Sequence, residues 1–322
     1  MNKITMAYAV KHKDENIRAA SRSGGIFTAV SDFVLKNGGV VYGCVLENPY
    51  TAVHIRATTT EERNKMRGSK YIQSDTRRTF SECAADLKAG LMVLYTGTPC
   101  QIFGLLCYLD TLNIDKKRLI TVDIVCHATA SPKIWEKYVK YETNGIEPDN
   151  VNFRDKEKFG WAAHYETITV GGADKSGKKF ADVFYKDLPF PTHCFDCKFK
   201  TVKRFSDITI GDYWHIGELD KNFADDKGIS LVLVNSEKGN EIFKSIEKNI
   251  TFKIFPLCLS MQKPFESNYS IPAKRDEFFR DADKMDFFQL HQKYTTPNPP
   301  SKIRKIIDII LKYSKKVASI GR

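Results

Sequence analysis

Two different spacings of apolar residues alternate along the first half of the chain. Short, mainly apolar runs indicate strands, and stretches with apolar residues three and four positions apart indicate helices. The predicted strands are 39–46, 91–95 and 119–125. The predicted helices are 26–35, 76–89, 100–112 and 132–141, the last beginning with Ser131 as its cap and Pro132 at its first position. This alternation predicts an α/β fold with a mixed, largely parallel sheet and flanking helices.

The second half of the chain has a different pattern. Strands are predicted at 166–170, 207–210 and 230–235, followed by a helix at 239–248. These elements form either an α+β second part or an extension of the first sheet. The predicted regions are an α/β part at 1–150, a second part at 151–295 that completes the site, and a proline linker with a tail at 296–322.

Much of the positive charge lies in the tail. The chain carries a formal net charge of +11, and residues 301–322 hold seven basic residues against one acidic residue, interleaved with aliphatic ones. This pattern predicts a C-terminal basic amphipathic helix that docks on an anionic membrane surface or an acidic partner, or that packs on its own domain. The sequence contains no zinc finger and no basic-aromatic pattern, so nucleic acid is not an expected partner.

The start of the chain and its cysteines indicate a compartment. The N-terminus lacks the long apolar run of a secretory signal, and no window approaches about 18 consecutive apolar residues. We therefore expect a cytoplasmic protein, peripheral at most to the inner face of the membrane. Thiols stay reduced there, so the eight cysteines indicate burial, metal binding or redox chemistry more than disulfides.

Four cysteines stand where a site could form. Cys100 follows the strand 91–95, and Cys126 directly follows the strand 119–125, so both lie at strand ends, where α/β sheets bind ligands. Cys194 and Cys197 are separated by two residues, a spacing that lets both thiolates reach one metal centre. The set predicts zinc or a 4Fe–4S cluster, and spacing alone does not choose between them. The remaining cysteines are interpreted as packing residues: Cys44, Cys83, Cys107 and Cys258.

Six short segments, taken together, resemble one protein family. They are Ser23–Gly25, Arg67–Tyr71, Gly97–Gln101, Val125–His127, Cys194–Cys197 and Ser206–Asp212. The same order is seen in the beta subunit family of coenzyme F420 hydrogenases and dehydrogenases, and the resemblance covers about residues 8–265. It implies an iron-sulfur flavoprotein oxidoreductase that binds FAD and a 4Fe–4S cluster. Such proteins pass electrons between the cluster and a hydride-accepting substrate, a deazaflavin in archaeal members.

The resemblance also implies roles for individual residues. Cys100, Cys126, Cys194 and Cys197 would ligate the cluster. The flavin would be surrounded by Ser23, Gly24, Gly25, Gly68, Ser69, Lys70 and Tyr71. Glycines before a helix let backbone N–H groups approach a pyrophosphate, whose charge the helix N-terminus and the cation of Lys70 would stabilise. His127 is interpreted as a proton relay or as a structural residue, and no general acid or base is assigned.

The chain departs from many bacterial relatives in one respect. Those relatives begin with a ferredoxin-like segment that carries clustered cysteines, whereas no cysteine precedes Cys44 here. We therefore expect an external electron carrier, which is a ferredoxin, a flavodoxin or a partner subunit. The expected substrate is a small molecule, either a deazaflavin of the coenzyme F420 type or an intermediate of surface polysaccharide biosynthesis. The alternative is a non-redox protein, stabilised by zinc or acting as a scaffold at a membrane-associated assembly.

Overall fold

The computed structural model describes residues 6–296. The strands are β1 (Met6–His12), β2 (Val40–Asn48), β3 (Thr51–Ala57), β4 (Val93–Gly97), β5 (Leu119–Ile124), β6 (Asn150–Asn152), β7 (Glu166–Val170), β8 (Ala173–Gly177), β9 (Ile208–Asp212), β10 (Ser230–Val234) and β11 (Ile250–Pro256). The helices are α1 (Glu15–Ala19), α2 (Ile26–Lys36), α3 (Thr60–Asn64), α4 (Thr79–Lys88), α5 (Pro99–Thr111), α6 (Pro132–Thr143), α7 (Lys156–Phe159), α8 (Lys179–Phe184), α9 (Ile216–Leu219), α10 (Glu237–Ile246), α11 (Lys263–Glu266), α12 (Arg275–Ala282) and α13 (Phe287–Thr295). The basic helix expected in the tail lies outside the described residues.

Eight strands form one mixed sheet in the order β11-β1-β10-β9-β5-β4-β2-β3. The neighbours β9, β5, β4 and β2 pair in parallel at its centre, whereas the outer strands pair antiparallel. A small antiparallel sheet contains β6, β7 and β8. The expected α/β class with a mixed sheet and flanking helices is confirmed. Two strands from the second half, β9 and β10, extend the first sheet, while the strand at 166–170 belongs to the small sheet.

The hydrophobic pattern did not predict the strands β1 and β11. β1 lies between β10 and β11, so Tyr8 pairs with Val232 on one side and with Ile254 on the other. Only Ile250 of β11 is buried, because this strand is an edge of the sheet. This pairing joins the start of the chain to its last third, and the local spacing of apolar residues does not predict such long-range contacts.

Alternate residues of the central strands face two separate core layers. On β4, Leu94 belongs to the cluster that includes α2 and α10, whereas Val93 and Tyr95 belong to the cluster under α4 and α5. A third cluster gathers α8, α12 and α13 around the fully buried Trp135 of α6. Because helices cover both faces of the parallel strands, the carboxyl ends of those strands are the natural place for a ligand.

Candidate functional site

The parallel strands carry several site residues to one edge of the sheet. β4 ends shortly before Cys100, which lies in the first turn of α5, and β5 ends shortly before Cys126. β9 runs parallel to β5 and ends at Asp212, which pairs with Ser230 of β10. Gly24 in turn donates its N–H to the hydroxyl of Ser230 at 2.9 Å. The edge therefore holds, in order, the two cysteine segments, Asp212 and the glycine turn before α2.

The structure brings the thiols of Cys100, Cys126, Cys194 and Cys197 into one neighbourhood, which we call the thiol cluster. Burial raises the pKa of Cys126, and the charges of the other three thiols raise it further. Burial also raises the pKa of Cys194, and Cys197 and Cys100 add to that shift against a backbone hydrogen bond from Thr129. Several thiolates can share such a place only if positive charge compensates them.

Local hydrogen bonds hold two of these cysteines. The hydroxyl of Thr98, at the N-cap of α5, lies 3.1 Å from the sulfur of Cys100. The backbone N–H of Cys197 donates to the side-chain oxygen of Asn268 at 3.1 Å. Within residues 6–296, no group of three or more His, Cys, Asp or Glu side chains is placed to hold a metal ion. In a 4Fe–4S cluster each thiolate binds a different iron, so the ligands surround a group larger than one ion.

The other four cysteines differ from one another in exposure. Cys83 is buried under α4, and Cys44 is half-buried against the core. Cys107 and Cys258 are exposed, so their interpretation as packing residues was wrong. Lone cysteines are most often packing residues, but these two side chains lie on the solvent side of their elements.

A buried cation faces the thiol cluster. The ammonium of Lys200 lies 3.6 Å from the centre of the Tyr269 ring and finds no hydrogen-bond acceptor in the described part of the chain. Burial lowers the pKa of Lys200, and the charges of Cys126, Cys197 and Cys194 oppose that shift. A buried ammonium without an acceptor is costly unless an anion compensates it. Four thiolates beside this cation have the donor chemistry of an iron-sulfur site, so the residues present fit such a cluster.

The glycines expected around a flavin have a structural reason of their own. A Cβ atom on Gly24 would lie 2.0 Å from the carbonyl oxygen of Val10 on β1. Gly25 has a φ of +90° and occupies the N-cap of α2, where no side chain caps the helix. The hydroxyl of Ser23 donates to the backbone just before β10 at 2.6 Å. These three residues therefore join α2 to β1 and β10 at the site edge.

The second segment expected around the flavin, 68–71, folds onto its own backbone. The ammonium of Lys70 donates to the carbonyls of residues 65–68 at 2.8–3.2 Å, and burial lowers its pKa to about 8. Gly68 has a φ of +79°, and Ser69 is half-buried beside it. The backbone carbonyl of Tyr71 accepts from Ala130, in the segment after β5. The role of Lys70 at a pyrophosphate stays a prediction, because backbone carbonyls surround its ammonium.

A second charged region lies at the other end of the edge. Asp212 accepts from the guanidinium of Arg154 at 2.8 Å and from the indole of Trp161 at 2.9 Å. Arg22 stands next to this pair, with its Nε 3.9 Å from the carboxylate of Asp212. Burial, followed by the charges of Arg154 and Arg22, lowers the pKa of His164 to about 4. We call Arg22, Arg154, His164 and Asp212 the guanidinium site.

Two family models match the chain, and both describe the beta subunit of coenzyme F420 hydrogenase/dehydrogenase. The model for the N-terminal part of that subunit matches residues 7–79, and the model for its C terminus matches residues 91–257. The chain belongs to the coenzyme F420 hydrogenase/dehydrogenase beta subunit family. The resemblance expected from the short segments is thereby confirmed, and membership supports an oxidoreductase role in electron transfer.

A solved structure shares the fold of this family member. It is described as a xenon derivatization of the F420-reducing [NiFe] hydrogenase complex from Methanosarcina barkeri. The match has a TM-score of 0.56 and 21% sequence identity and covers 91% of each chain. At that identity the likeness concerns the fold alone. No helix among residues 6–296 is long and apolar enough to cross a membrane.

Aromatic side chains connect the two charged regions of this family member. The ring of His127, which follows Cys126, lies 5.8 Å from that of Tyr185, and Tyr185 lies 4.9 Å from His164. His164 stacks on Trp214 at 5.7 Å. The thiol cluster and the guanidinium site are therefore two ends of one packed surface.

Both ring nitrogens of His127 are engaged. Nε2 lies 2.8 Å from the carboxylate of Asp187, and Nδ1 lies 3.1 Å from the hydroxyl of Tyr269. The ring also stacks on Tyr269 at 4.2 Å. His127 thus ties the Cys126 segment to two other parts of the chain.

Sequence reasoning missed most of the guanidinium site. Asp212 ends the segment Ser206–Asp212 that carries the family resemblance, so a signal existed for it. Arg22, Arg154 and His164 stand in unrelated segments with no shared spacing. Only the folded chain brings these side chains to one carboxylate.

Proposed function

We propose that this chain is an iron-sulfur flavoprotein oxidoreductase that uses FAD and a 4Fe–4S cluster. The thiols of Cys100, Cys126, Cys194 and Cys197 would hold the cluster. The observation that carries the proposal is the gathering of these thiols from three separate segments beside the buried ammonium of Lys200, which has no hydrogen-bond acceptor among residues 6–296. When bound, the cluster would exchange single electrons and the flavin would exchange a hydride with the substrate.

The chain's own residues hold, orient and screen these groups. The ligands come from the first turn of α5, the end of β5 and the turn at 194–197, so rigid elements fix at least two of them. The proposed flavin segments, Ser23–Gly25 and Gly68–Tyr71, flank the same edge of the sheet. The Nζ atom of Lys200 is buried, and this low-dielectric position strengthens the effect of its charge on the thiols.

The proposed partners follow from the family description. We propose an external carrier, which is a ferredoxin, a flavodoxin or a partner subunit, and a small-molecule hydride acceptor. That acceptor is a deazaflavin of the coenzyme F420 type or an intermediate of surface polysaccharide biosynthesis. The composition of residues 301–322 supports a peripheral contact with an anionic membrane surface, in a protein that we propose to be cytoplasmic.

The test is the visible spectrum of protein purified without oxygen, together with iron, zinc and flavin analysis. We expect flavin bands and a broad iron-sulfur shoulder, with about four irons per chain. Cys197→Ser should lose the shoulder and most of the iron. Cys107→Ser, which changes an exposed cysteine of α5, should keep both. A colourless protein that contains zinc or no metal, even after reconstitution, would overturn the proposal and favour the structural alternative.

A further inference from the structure

We propose that Arg22 binds a phosphate group of a ligand at the guanidinium site. This inference deepens the proposed function. It rests on that function if the phosphate belongs to the flavin or to the hydride acceptor. Its basis is a buried guanidinium whose N–H groups are only partly used.

The side chain of Arg22 is 9% exposed. Its Nη2 donates to the carbonyl of Trp161, whereas Nε and Nη1 are buried and find no acceptor among residues 6–296. Asp212 does not take that role, because its nearest oxygen is 3.9 Å from Nε and its carboxylate already accepts from Arg154 and Trp161. Buried donors without an acceptor cost free energy that only an incoming acceptor recovers.

Neighbouring arginines are used differently. Arg18 donates from Nε and Nη2 to the carbonyl of Gly228 and pairs with Asp225. Arg154 uses all three of its nitrogens, on Ala163, Asp212, Tyr71 and Trp161. All three nitrogens of Arg154 are therefore used within the fold, and Nη1 of Arg18, which makes no hydrogen bond among the described residues, lies 3.7 Å from the carboxylate of Glu15. Arg22 differs from both, because its buried Nε and Nη1 find no acceptor in the part of the chain that the structure describes, and these donors point to a ligand.

The charge balance favours an anion with more than one negative charge. Four basic side chains in this neighbourhood, namely Arg18, Arg22, Arg154 and Lys156, share the carboxylates of Asp212 and Asp225. Burial, then the charges of Arg22 and Arg18, lowers the pKa of Lys156 to about 8. A phosphate would relieve this excess, and the planar fork of a guanidinium matches two phosphate oxygens.

Aromatic side chains lie close to the guanidinium of Arg22. The charge of Arg22 interacts electrostatically with the ionisable groups of Tyr71, Tyr185 and His164. These three side chains line one small pocket together with Arg154. Arg22 directly precedes the glycine turn 23–25, so a phosphate at its guanidinium would lie beside a segment that we propose to surround the flavin.

The test compares ligands that differ in phosphate. The full chain, stripped of flavin, is titrated with FAD and with riboflavin, which lacks phosphate, and flavin fluorescence gives each dissociation constant. Arg22→Met should weaken FAD about ten- to a hundredfold, the loss expected for charge-assisted hydrogen bonds, and leave riboflavin unchanged. Arg22→Lys, which keeps the charge and loses the fork, should weaken FAD less. Arg78→Met, at an exposed arginine before α4, is the control and should change neither.

Each other outcome has a meaning. If Arg22→Met leaves FAD binding unchanged, the FAD-loaded protein is titrated with inorganic phosphate. Loss of phosphate binding in Arg22→Met, but not in the control variant, assigns the site to the phosphate of the second ligand. If neither ligand responds to Arg22→Met while the variant unfolds at the wild-type temperature, the inference is wrong. If the wild type binds no flavin, the proposed function fails, and calorimetric titration with inorganic phosphate still decides whether Arg22 binds the anion.

Discussion

The thiol cluster and the guanidinium site lie on the same edge of the sheet and differ in the ionisable groups that they bring together. The thiol cluster gathers four groups that ionise to anions beside the ammonium of Lys200. The guanidinium site gathers buried cations around few carboxylates. The single ammonium of Lys200 would balance only part of the charge of four thiolates, and Nε and Nη1 of Arg22 find no acceptor among residues 6–296. We therefore propose that the edge binds two different ligands, an iron-sulfur cluster at one end and a phosphate-bearing molecule at the other.

The two regions also differ in how they are held. The cysteines of the thiol cluster lie at strand ends and in tight turns. Because a cysteine side chain is short, the backbone fixes the position of each sulfur. The guanidinium site depends on long side chains that reach one carboxylate, Asp212. We expect loss of a thiol to empty the site and leave the fold intact, whereas loss of Asp212 should weaken the fold itself.

The largest effect on stability is expected for Asp212→Asn. Arg154, whose side chain is 3% exposed, would lose its buried carboxylate partner, and Arg22 would lose its nearest anion. Removing one partner of a buried ion pair typically costs about 3–5 kcal/mol of unfolding free energy. Urea denaturation at constant pH measures the change.

The matched control for that prediction is Asp283→Asn. Asp283 pairs with Lys133, and both side chains are more than half exposed. An exposed pair contributes about 0–1 kcal/mol, so the control should remain close to the wild type. Equal destabilisation of the two variants would show that Asp212 does not organise the guanidinium site.

The comparison also explains what the sequence could predict. The mainly apolar run of β5 predicts a buried strand, and the cysteines that follow two strand ends are expected to lie close together, since parallel strands share an edge. β1 is different, because it joins the sheet through partners near the other end of the chain. Arg22 and Arg154 are ordinary polar residues in their local sequence, and their importance arises from burial, which a one-dimensional pattern does not contain.

An intermediate effect is expected for Lys200→Met. Without the ammonium, the thiol cluster loses its facing cation, so a bound cluster should be harder to reduce. We expect the ratio of reduced to oxidised cluster at a fixed potential to fall about tenfold, which is about 59 mV for one electron. Redox titration followed by electron paramagnetic resonance measures this ratio.

Two further variants isolate the charge of Lys200. Lys200→Arg keeps a cation and should stay near the wild-type potential, and Lys198→Met removes an exposed lysine from the same segment and should have no effect. An unchanged potential in Lys200→Met would mean that the cation does not act on the cluster. Equal loss of iron in the Met and Arg variants would show that side-chain shape matters more than charge.

The smallest effect concerns pH and the guanidinium site. The pKa of His164 is lowered to about 4 from 6.5 by burial and by Arg154 and Arg22, so the folded chain binds fewer protons there than the unfolded chain between these values. Its contribution to stability is therefore complete above pH 6.5 and is lost as pH falls toward 4. Replacement by glutamine should remove part of this acid sensitivity, on the order of 1 kcal/mol after solvent screening.

Urea denaturation at pH 7 and at pH 4.5 tests the prediction for His164→Gln. The loss of stability between the two pH values should be smaller in this variant than in the wild type. His215→Asn changes a histidine whose side chain is 71% exposed, and it should keep the wild-type loss. If His164→Gln loses as much stability as the wild type, then neither burial nor the charges of Arg154 and Arg22 lower the pKa of His164 enough to affect folding. The contrast between the two ends of the edge would then rest on the thiol cluster alone.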